Sequence, residues 1–518
     1  MSSAASLADL FSHTSNIYGN NIALEFEGRH FSYKDLDNQT NNLAHYFTSL
    51  GVKAGDRVSF LDKNSDLYIM ALGALAKIGA VCVPINYRLM LPEVSYILKD
   101  SDSKFLLLGQ DYLMLKDFLD DDLKHLTCLA FCKNDRDVPA IEEQLTNETA
   151  APVDYTPAPE DAYLQMYTSG TTGHPKGVLL TNQVLKDTLD IVDNTFVMFD
   201  QTMVQLSAMP FYHIAGMNTL LIALHSGAKS VITREVNPVE ILKIIPEKNI
   251  TIAFFAPVII QFLLMTPGIE DTDFSCLENI YYGGSPIAPS VLTEAEKVFN
   301  CNFYQVYGMT ETMGLTTILM PEDHKKAGKL LKSCGKPFTG ITVRIEDADG
   351  NEVGINDIGE VKVLTKSCMA GYWNKPEATA KTIDKNGWLS TGDAGYRDEE
   401  GYIFIHDRMK DMIISGAENI YPAEVEKCLI SHHEIADAGV FGIPDDRWGE
   451  VVCAAVSLQP NSAADEKSII KYCREKIAHY KCPTKVVIMK ELPRNASGKV
   501  LRRELRAPYW KDKDRNVS

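Results

Sequence analysis

The sequence predicts an α/β protein with a large N-terminal domain of layered α/β subdomains plus a small β subdomain, followed by a small mobile α+β C-terminal domain. Three observations lead to this prediction. Helix and strand patterns alternate up to about Gly340, hairpin patterns follow it, and a further change of pattern comes after His406. The length of 518 residues agrees with several units, because one hydrophobic core rarely serves so long a chain.

The alternation of helices and strands is clear in the first hundred residues. Apolar residues at helical spacing predict a helix over 33–50, and a turn followed by a strand is predicted over 55–60. The apolar run 67–76 predicts a buried helix that leads into a strand over 81–84, and it is too short to span a bilayer. Such alternation is typical of largely parallel sheets covered by helices.

Two later regions differ in texture. Strand-like segments at 342–345 and 359–363 around a turn at Asp349 predict antiparallel hairpins, which form the small β subdomain. The C-terminal part predicts a helix over 424–429, and two strands follow it. The polar run 407–411 separates the two regions, and we therefore place the domains at 1–407 and 408–518.

Composition excludes several classes of function. A net charge of −18 and a pI near 5.2 argue against nucleic-acid binding and against electrostatic docking on anionic lipid. Eleven scattered cysteines without His partners predict neither a zinc site nor a disulfide framework. The first ten residues lack the pattern of a signal peptide, so a cytoplasmic location is expected. A homodimer and a weak peripheral membrane contact stay open.

A stretch rich in glycine and hydroxyl groups, residues 167–178, is the most informative part of the chain. It holds three glycines, five hydroxyl side chains and one lysine, which are the groups that hold a phosphate. The alternative is a polar turn between two strands, because apolar residues flank the stretch on both sides. Pro175 occupies the position of the second glycine of a Walker P-loop, so a phosphate loop of another kind is predicted.

Two more motifs follow predicted strands. The paired glycines of residues 283–285 would let a flat ligand lie against the backbone, although a turn into a helix capped by Ser285 or Ser290 fits the same residues. Residues 307–311 end in a carboxylate, Glu311. A lone carboxylate suits Mg²⁺, which keeps several of its waters, and the alternative is a solvated surface carboxylate.

Three further side chains are candidates for chemistry. Asp393 follows Thr391 at a predicted strand-to-turn junction, where it could accept both ribose hydroxyls or simply cap a turn. Lys499 lies on a glycine-flanked loop within residues 493–503, and it is either a cation aimed at developing negative charge or a solvated one. His213 follows an apolar strand, where a buried core histidine is the ordinary interpretation.

Together these motifs resemble, in order along nearly the whole chain, those of the adenylate-forming superfamily, which includes acyl-CoA synthetases, luciferases and peptide-synthetase adenylation domains. The resemblance implies ATP, Mg²⁺ and coenzyme A as ligands. It implies reaction roles for Lys499, Thr310, Glu311 and His213, with the metal on Glu311. It assigns the binding of ATP and coenzyme A to Thr168, Ser169, Gly170, Thr171, Thr172, Lys176, Gly283, Gly284, Ser285, Tyr307, Asp393, Arg408, Lys410 and Gly416.

The same resemblance implies a reaction in two halves. A carboxylate attacks the α-phosphorus of ATP to give an acyl-adenylate, and a thiol then attacks that anhydride. Lys499 would neutralise the phosphorus in the first half. A rotation of the small domain about Lys410 would then withdraw it and bring the loop of Gly416 to line a thiol tunnel.

The substrate is bounded by exclusion. Residues 210–227 and 251–262 contain no Asp or Glu, so an ammonium group of an amino acid would find no partner there and an apolar acid is expected. No carrier module follows Lys499, which favours coenzyme A as the acceptor. The motifs are most similar to those of bacterial fatty-acyl-CoA synthetases, and benzoate- or coumarate-like CoA ligases are the alternative. A nucleotide sensor without catalysis is disfavoured because Lys499, Glu311 and Asp393 are all present.

Overall fold

The computed structural model describes residues 4–146, 148, 150–168, 174–195, 199–285, 287, 289–326, 328–347, 349–408, 413–416, 418–420, 422–460, 462–493, 500 and 502–511. Its α-helices are α1 (Leu7–Tyr18), α2 (Tyr33–Ser49), α3 (Asp66–Lys77), α4 (Leu91–Asp100), α5 (Asn182–Thr195), α6 (Ile214–His225), α7 (Pro238–Glu247), α8 (Pro257–Leu264), α9 (Pro289–Phe299), α10 (Pro321–Lys326), α11 (Pro376–Thr382), α12 (Pro422–Ile430), α13 (Glu466–Arg474) and α14 (Arg502–Arg506).

The strands fall into four sheets. They are β1 (Ile22–Phe26), β2 (Arg29–Ser32), β3 (Arg57–Leu61), β4 (Val81–Pro84), β5 (Ser103–Leu108), β6 (Thr127–Ala130), β7 (Ala162–Thr168), β8 (Lys176–Thr181), β9 (Val204–Ser207), β10 (Lys229–Ile232), β11 (Ile252–Phe255), β12 (Asn279–Gly283), β13 (Asn302–Tyr307), β14 (Thr317–Leu319), β15 (Lys336–Pro337), β16 (Thr342–Glu346), β17 (Gly359–Leu364), β18 (Gly371–Tyr372), β19 (Leu389–Arg397), β20 (Ile403–Arg408), β21 (Ile413–Ser415), β22 (Glu418–Ile420), β23 (Ile435–Asp445), β24 (Gly449–Leu458) and β25 (Lys485–Ile488).

Two of the sheets are mainly parallel. Among the described residues the first sheet has the order β15-β14-β13-β12-β11-β9-β10-β1-β2, and its central pairs from β13 to β1 are parallel. The second sheet has the order β18-β8-β7-β4-β3-β5-β6, with an antiparallel β7–β8 hairpin beside parallel neighbours. Helices connect most of the parallel strands, as such crossovers require. The predicted alternation is thus confirmed.

The remaining two sheets correspond to the later regions of the sequence. The third sheet, β16-β17-β19-β20, is antiparallel and is the predicted small β subdomain. The fourth sheet, β22-β21-β24-β23 with β25 parallel to β24, lies in the C-terminal part. We call the first three sheets and their helices the large domain, and the fourth sheet with α12–α14 the small domain. The predicted fold class is confirmed. The domain boundary at 407/408 stays a prediction, and strand β20 crosses it, since it ends at Arg408.

The buried helix α3 illustrates how sequence gives structure in the large domain. Ser65 caps its first turn by accepting a hydrogen bond from the N–H of Tyr68. Every residue of α3 is buried, and it packs in the same core as α1, α2 and α6. A helix that is apolar on all sides is stable only when surrounded, so the uniform run 67–76 places it at the centre of the domain. Gly73 is required there, because a Cβ would approach the Phe11 ring to 2.8 Å.

The carboxyl ends of several parallel strands meet on one side of the first sheet. β12 ends at Gly283, β13 ends at Tyr307, and β9 leads from Ser207 towards His213. Ligands of open α/β sheets bind at this edge, because loops and helix starts converge there. The predicted motifs therefore lie where the fold favours a binding site. Among the described residues, no helix has both the length and the apolar character needed to cross a membrane.

Candidate active site

The predicted phosphate loop connects the two strands of the β7–β8 hairpin. Thr168 and Lys176 are paired across the hairpin, so the loop begins and ends at neighbouring points of the second sheet. Ser169, Gly170, Thr171 and Thr172 lie outside the described residues. The strand–loop–strand frame predicted from the apolar flanks is thus present on both sides.

Lys176 is linked through one aromatic ring to the predicted metal ligand. Its ammonium nitrogen lies 4.7 Å from the centroid of the Tyr372 ring, and the Tyr372 hydroxyl donates a hydrogen bond of 2.8 Å to Glu311. Tyr372 belongs to β18, which pairs with β8. Lys176, Glu311 and Tyr372 are far apart in the sequence. The pairing of β18 with β8 places Tyr372 beside the strand that begins at Lys176. Lys176 therefore lies against the ring of the same tyrosine whose hydroxyl is bonded to Glu311.

Glu311 can serve as the single protein carboxylate of a magnesium site. It is buried, it follows β13 in a short 3₁₀ turn, and its position is fixed by the Tyr372 hydroxyl. Mg²⁺ needs only one or two carboxylates when water and phosphate oxygens complete its shell, so this residue fits the ion. No group of three or more acidic, His or Cys side chains suited to a metal occurs within the described part of the chain. Thr310 precedes Glu311 and is partly exposed.

Gly283 and Gly284 are each required for a different structural reason. A Cβ on Gly283 would lie 2.2 Å from the carbonyl oxygen of Val306, so this residue permits β12 and β13 to pair closely. Gly284 has φ +85° and open space where a Cβ would point. It therefore forms the left-handed turn that ends the strand and leaves exposed backbone beside Ser285. This surface is compatible with the flat ligand that the sequence predicts at this backbone.

Asp393 lies close to Tyr307, another predicted nucleotide-binding residue, at the end of β13. The Tyr307 hydroxyl donates a hydrogen bond of 2.6 Å to Asp393, and the Asp393 N–H donates to the Thr391 hydroxyl at 3.1 Å. Burial and the adjacent carboxylate raise the pKa of Tyr307 well above its usual value, so the phenol keeps its proton. Arg408 is the backbone partner of Asp393 across β20 and β19, so these two predicted ligand-binding residues are neighbours.

One local prediction about Asp393 is wrong. It lies inside the nine-residue strand β19 and not at a strand-to-turn junction. The pairing of β19 with β20 shifts register between Ala394 and Gly395, and a second irregularity occurs in the pairing of β17 with β19. Such bulges bend a strand and redirect its side chains, which explains why a Thr-Gly-Asp sequence resembles a turn.

His213 caps the start of α6 at the junction with the small domain. Its Nε2 lies 3.4 Å from one carboxylate oxygen of Glu418 in β22, and the other oxygen is bonded to Arg88 at 3.2 Å. Burial alone would raise the pKa of Glu418, but His213 and Arg88 outweigh it and the pKa is lowered. His213 is thus a half-exposed residue that contacts a carboxylate of the small domain, and not a core histidine.

Gly416 lies in the same hairpin as Glu418 and has φ +58°. Its N–H donates to the carbonyl of Trp448 at 2.9 Å, and a Cβ would approach the Trp448 ring to 2.6 Å. Trp448 in turn meets Phe262 of α8 edge to face, with ring centroids 5.5 Å apart. The predicted thiol-tunnel loop therefore contacts α6 and α8 of the large domain. Lys410 and Lys499 lie outside the described residues.

Two contributors to this arrangement were missed from the sequence. Arg88 follows the buried strand β4, where a cation after an apolar strand was a usable signal. For Tyr372, nothing in the local sequence indicates its hydrogen bond to Glu311. Both act through partners that are distant in sequence, at separations of 330 for Arg88–Glu418 and 61 for Tyr372–Glu311.

Comparison with known families and proteins agrees with this geometry. Residues 11–373 match the family described as AMP-binding enzyme, and residues 424–499 match the AMP-binding enzyme C-terminal domain. The chain is 36% identical over 500 residues to the fatty acid–[acyl-carrier-protein] ligase ScoC of Streptomyces coeruleorubidus, with 95% of this chain and 94% of that protein covered.

Other relatives act on different acids. The long-chain-fatty-acid–CoA ligase FadD13 of Mycobacterium tuberculosis is 35% identical, with 92% of this chain and 93% of that protein covered. A 2-succinylbenzoate–CoA ligase of Bacillus cereus is also 35% identical, with 93% and 95% covered. Relatives of equal similarity thus differ in the acid they activate.

Two solved structures of one enzyme, the o-succinylbenzoate CoA synthetase of Bacillus subtilis, differ in their similarity to this chain. A double mutant bound to a product analogue gives a TM-score of 0.83, with 30% identity and 96% and 98% of the two chains covered. The complex with the acyl-adenylate intermediate gives 0.69, with 30% identity and 96% and 97% covered. The overall structure of this chain is therefore more similar to the product-analogue complex than to the acyl-adenylate complex.

Proposed function

The chain belongs to the AMP-binding enzyme family of adenylate-forming enzymes, acid–thiol ligases among them, and on that premise we propose that it activates a medium- or long-chain fatty acid. The products would be an acyl-CoA, AMP and pyrophosphate. The observation that supports transfer to a thiol is the contact of Glu418 with both His213 and Arg88, which holds the loop of Gly416 against the large domain.

In the first half-reaction, we infer that the enzyme aligns two anions and neutralises charge. An acid oxygen attacks the α-phosphorus, and the bond to the bridging oxygen of pyrophosphate breaks. The loop from Thr168 to Lys176 would hold the phosphates, Asp393 and Arg408 the ribose, and residues 283–285 the adenine. Lys499 and Thr310 would stabilise charge at the phosphorus, which is the largest contribution that fixed groups make to such a step.

Magnesium would be held by Glu311, whose buried carboxylate is fixed by Tyr372. When bound, the ion supplies positive charge for the departing pyrophosphate. The chain's own residues then orient the nucleotide. Tyr307 fixes the carboxylate of Asp393 through its hydroxyl, and Lys176 stays beside the Tyr372 ring.

In the second half-reaction, the thiol sulfur attacks the acyl carbon and AMP departs with the electron pair of the broken bond. The overall structure supports this assignment, because it is more similar to a product-analogue complex than to an adenylate complex of one related synthetase. We propose that Lys499 is withdrawn for this half-reaction and that Lys410 is the pivot. We propose coenzyme A as the acceptor of the acyl group. An acyl-carrier protein is the alternative, because ScoC is named as a ligase that uses one.

The choice of a fatty acid rests on the walls beside His213. Helix α6 and helix α8 contain no charged residue apart from His225 at the end of α6, and most of their side chains are buried and apolar. An apolar wall favours an alkyl chain, because each buried methylene contributes about 0.8 kcal/mol. ScoC and FadD13 are named for fatty acids.

An aromatic acid is the second candidate, and one feature favours it. Phe199, Tyr281 and Tyr304 form a stack of rings, with centroids 6.4 Å and 4.5 Å apart, and Tyr281 lies two residues before Gly283. Stacked rings suit a flat substrate. The 2-succinylbenzoate ligase and a feruloyl-CoA synthase of Amycolatopsis, 33% identical, are named for such acids.

The test is pyrophosphate release with ATP and a panel of acids from acetate to palmitate, together with benzoate and coumarate. Each acid is offered with coenzyme A and, separately, with a phosphopantetheinyl carrier protein. We expect release and AMP formation to depend on a fatty acid and on coenzyme A. Binding of ATP without turnover of any acid would instead identify a nucleotide sensor. We further propose a cytoplasmic location, because all eleven cysteines are free thiols.

A further inference from the structure

A second contact joins the domains, separate from that of Glu418 with His213 and Arg88. The ammonium group of Lys481 lies 2.8 Å from Glu93 in α4 and 2.7 Å from Glu424 in α12. The Lys481 side chain is 4% exposed, and those of Glu93 and Glu424 are each 10% exposed. One cation is therefore enclosed with two carboxylates, one from each domain.

Both carboxylate oxygens of Glu93 accept hydrogen bonds from the small domain. One accepts from Lys481, and the other accepts from the N–H of Ala478 at 2.7 Å. A third bond lies beside them, since Asn86 donates to the Tyr480 hydroxyl at 3.2 Å. The segment 478–481 of the small domain is thus bonded to the segment 86–93 of the large domain at three points.

These bonds differ in their dependence on domain orientation. Lys481 and Glu424 belong to the same domain, so their pair persists when the small domain rotates. Both bonds from the small domain to Glu93 must break in any rotation that moves α4 away from residues 478–481. Burial raises the pKa of Glu424, whereas Glu424 and Glu93 outweigh burial and raise the pKa of Lys481. The cation therefore stays charged beside both groups.

We propose that Glu93 and Lys481 form an interdomain latch, a positioning pair that favours the orientation for thiol transfer and is absent from the orientation for adenylate formation. The latch rests on the proposed two-step function. It acts through the loop of Gly416 and Glu418, which the same orientation brings to His213. The two latch residues act by positioning the domains and not by contact with reacting atoms. Loss of the latch should therefore lower the rate of thiol transfer relative to the rate of adenylate formation.

The test is Glu93→Gln, which keeps the shape of the side chain. Its amide oxygen can keep the bonds that one Glu93 oxygen accepts from the N–H groups of Met90 and Ala478, whereas its uncharged NH2 group replaces the oxygen bonded to Lys481. Adenylate formation is measured by ATP–pyrophosphate exchange, and thiol transfer by single turnover of preformed acyl-adenylate with coenzyme A. We expect thiol transfer to slow by about 10–100-fold, because a hydrogen-bonded charge pair is lost. Exchange of pyrophosphate should be unchanged.

A matched control is Asp35→Asn. Asp35 is also an acid in the first turn of a helix and also caps it, at Ser32, but it is remote from the small domain. A second readout is hydrogen–deuterium exchange of residues 475–482. The Ala478 N–H should lose protection in Glu93→Gln, because without the charge pair to Lys481 the two domains separate more often. If Glu93→Gln folds poorly compared with Asp35→Asn, Lys481→Met takes its place. This substitution alters only the small domain, and the rates of its two half-reactions are compared in the same way.

The outcomes separate the latch from the proposed function. Equal losses in both half-reactions, or an unchanged rate of thiol transfer, would overturn the latch. If the wild-type protein forms no thioester with any acid, the proposed function fails. The hydrogen–deuterium exchange measurement still decides the latch in that case. Unaltered protection of residues 475–482 in Glu93→Gln would then refute it, and lost protection would support the contact.

Discussion

The Tyr307 hydroxyl donates a 2.6 Å hydrogen bond to Asp393, although the two residues are 86 positions apart. Tyr307 ends β13 of the first sheet, and Asp393 lies in β19 of the third sheet. This bond therefore joins two sheets at the edge where the nucleotide residues converge. It fixes the carboxylate that we propose for the ribose.

Asp393→Ala should weaken ATP binding by about 10–100-fold, because two ribose hydroxyls would lose a charged acceptor worth about 1.5–3 kcal/mol. Tyr307→Phe should have a smaller effect, since it removes only the group that orients the carboxylate. Calorimetric titration with ATP measures both. Asp349→Ala, in an exposed turn of the third sheet, is the control. An ATP affinity equal to that of the control would remove Asp393 from the site.

Lys499→Ala should slow adenylate formation by about 10²–10³, which is the usual effect of removing one donor aimed at transition-state charge. Transfer from supplied acyl-adenylate to coenzyme A should survive, because Lys499 is expected to be withdrawn in that step. The two half-reactions are measured separately, by pyrophosphate exchange and by single turnover. Loss of both to the same degree would contradict the assignment.

Gly416→Ala should slow thiol transfer by about tenfold, since a new Cβ would lie 2.6 Å from the Trp448 ring and overpacking costs about 1–3 kcal/mol. Gly401→Ala is the matched control. Gly401 also has positive φ, +86°, but a Cβ there would meet nothing within 4 Å. Single-turnover rates with supplied adenylate test the pair. Equal rates for the two variants would mean that the close contact between residue 416 and Trp448 does not affect thiol transfer.

Glu25→Gln should destabilise the large domain in a pH-dependent way. Burial acts to raise the pKa of Glu25, but hydrogen bonds from Lys229 and Lys248 outweigh it and lower the pKa from 4.5 to about 2. Such a group stabilises the fold above its unfolded pKa, and that stability is lost as pH falls through the folded pKa. Because both lysines are partly exposed, screening reduces the effect to about 1–2 kcal/mol.

Denaturant unfolding over a range of pH measures this contribution, with Glu399→Gln at an exposed turn as the control. The free energy of unfolding should differ between wild type and Glu25→Gln by a constant amount above about pH 5, and the difference should shrink towards about pH 2. A difference that grows on acidification would show that the lysines do not stabilise the charged carboxylate.

A medium- or long-chain fatty acid should be a better substrate than benzoate or coumarate. In an alkyl site kcat/KM should rise several-fold per added carbon pair until the site is full, because each methylene contributes about 0.8 kcal/mol. A ring-sized pocket would instead peak at one acid and reject longer chains. Falling activity from hexanoate to dodecanoate, with good turnover of coumarate or benzoate, would establish the aromatic alternative.

The sequence by itself determined the elements and most of the candidate residues. Glycines, hydroxyls and a lysine within residues 167–178 predict a phosphate loop wherever the fold places them, because their chemistry is local. The apolar run 67–76 likewise required a surrounded helix, and α3 is one. Periodicity and turn residues are properties of neighbouring positions, so they are legible without a structure.

Only the tertiary structure decided which side chains meet. Glu93 and Lys481 are 388 positions apart, and each looks like an ordinary surface charge in its own segment. Asp393 was expected at a turn and lies in a bulged strand, because register is set by pairing with β17 and β20. Contacts between domains depend on how whole surfaces dock. No local pattern specifies that docking, and for this reason the latch could be recognised only once the domains were in place.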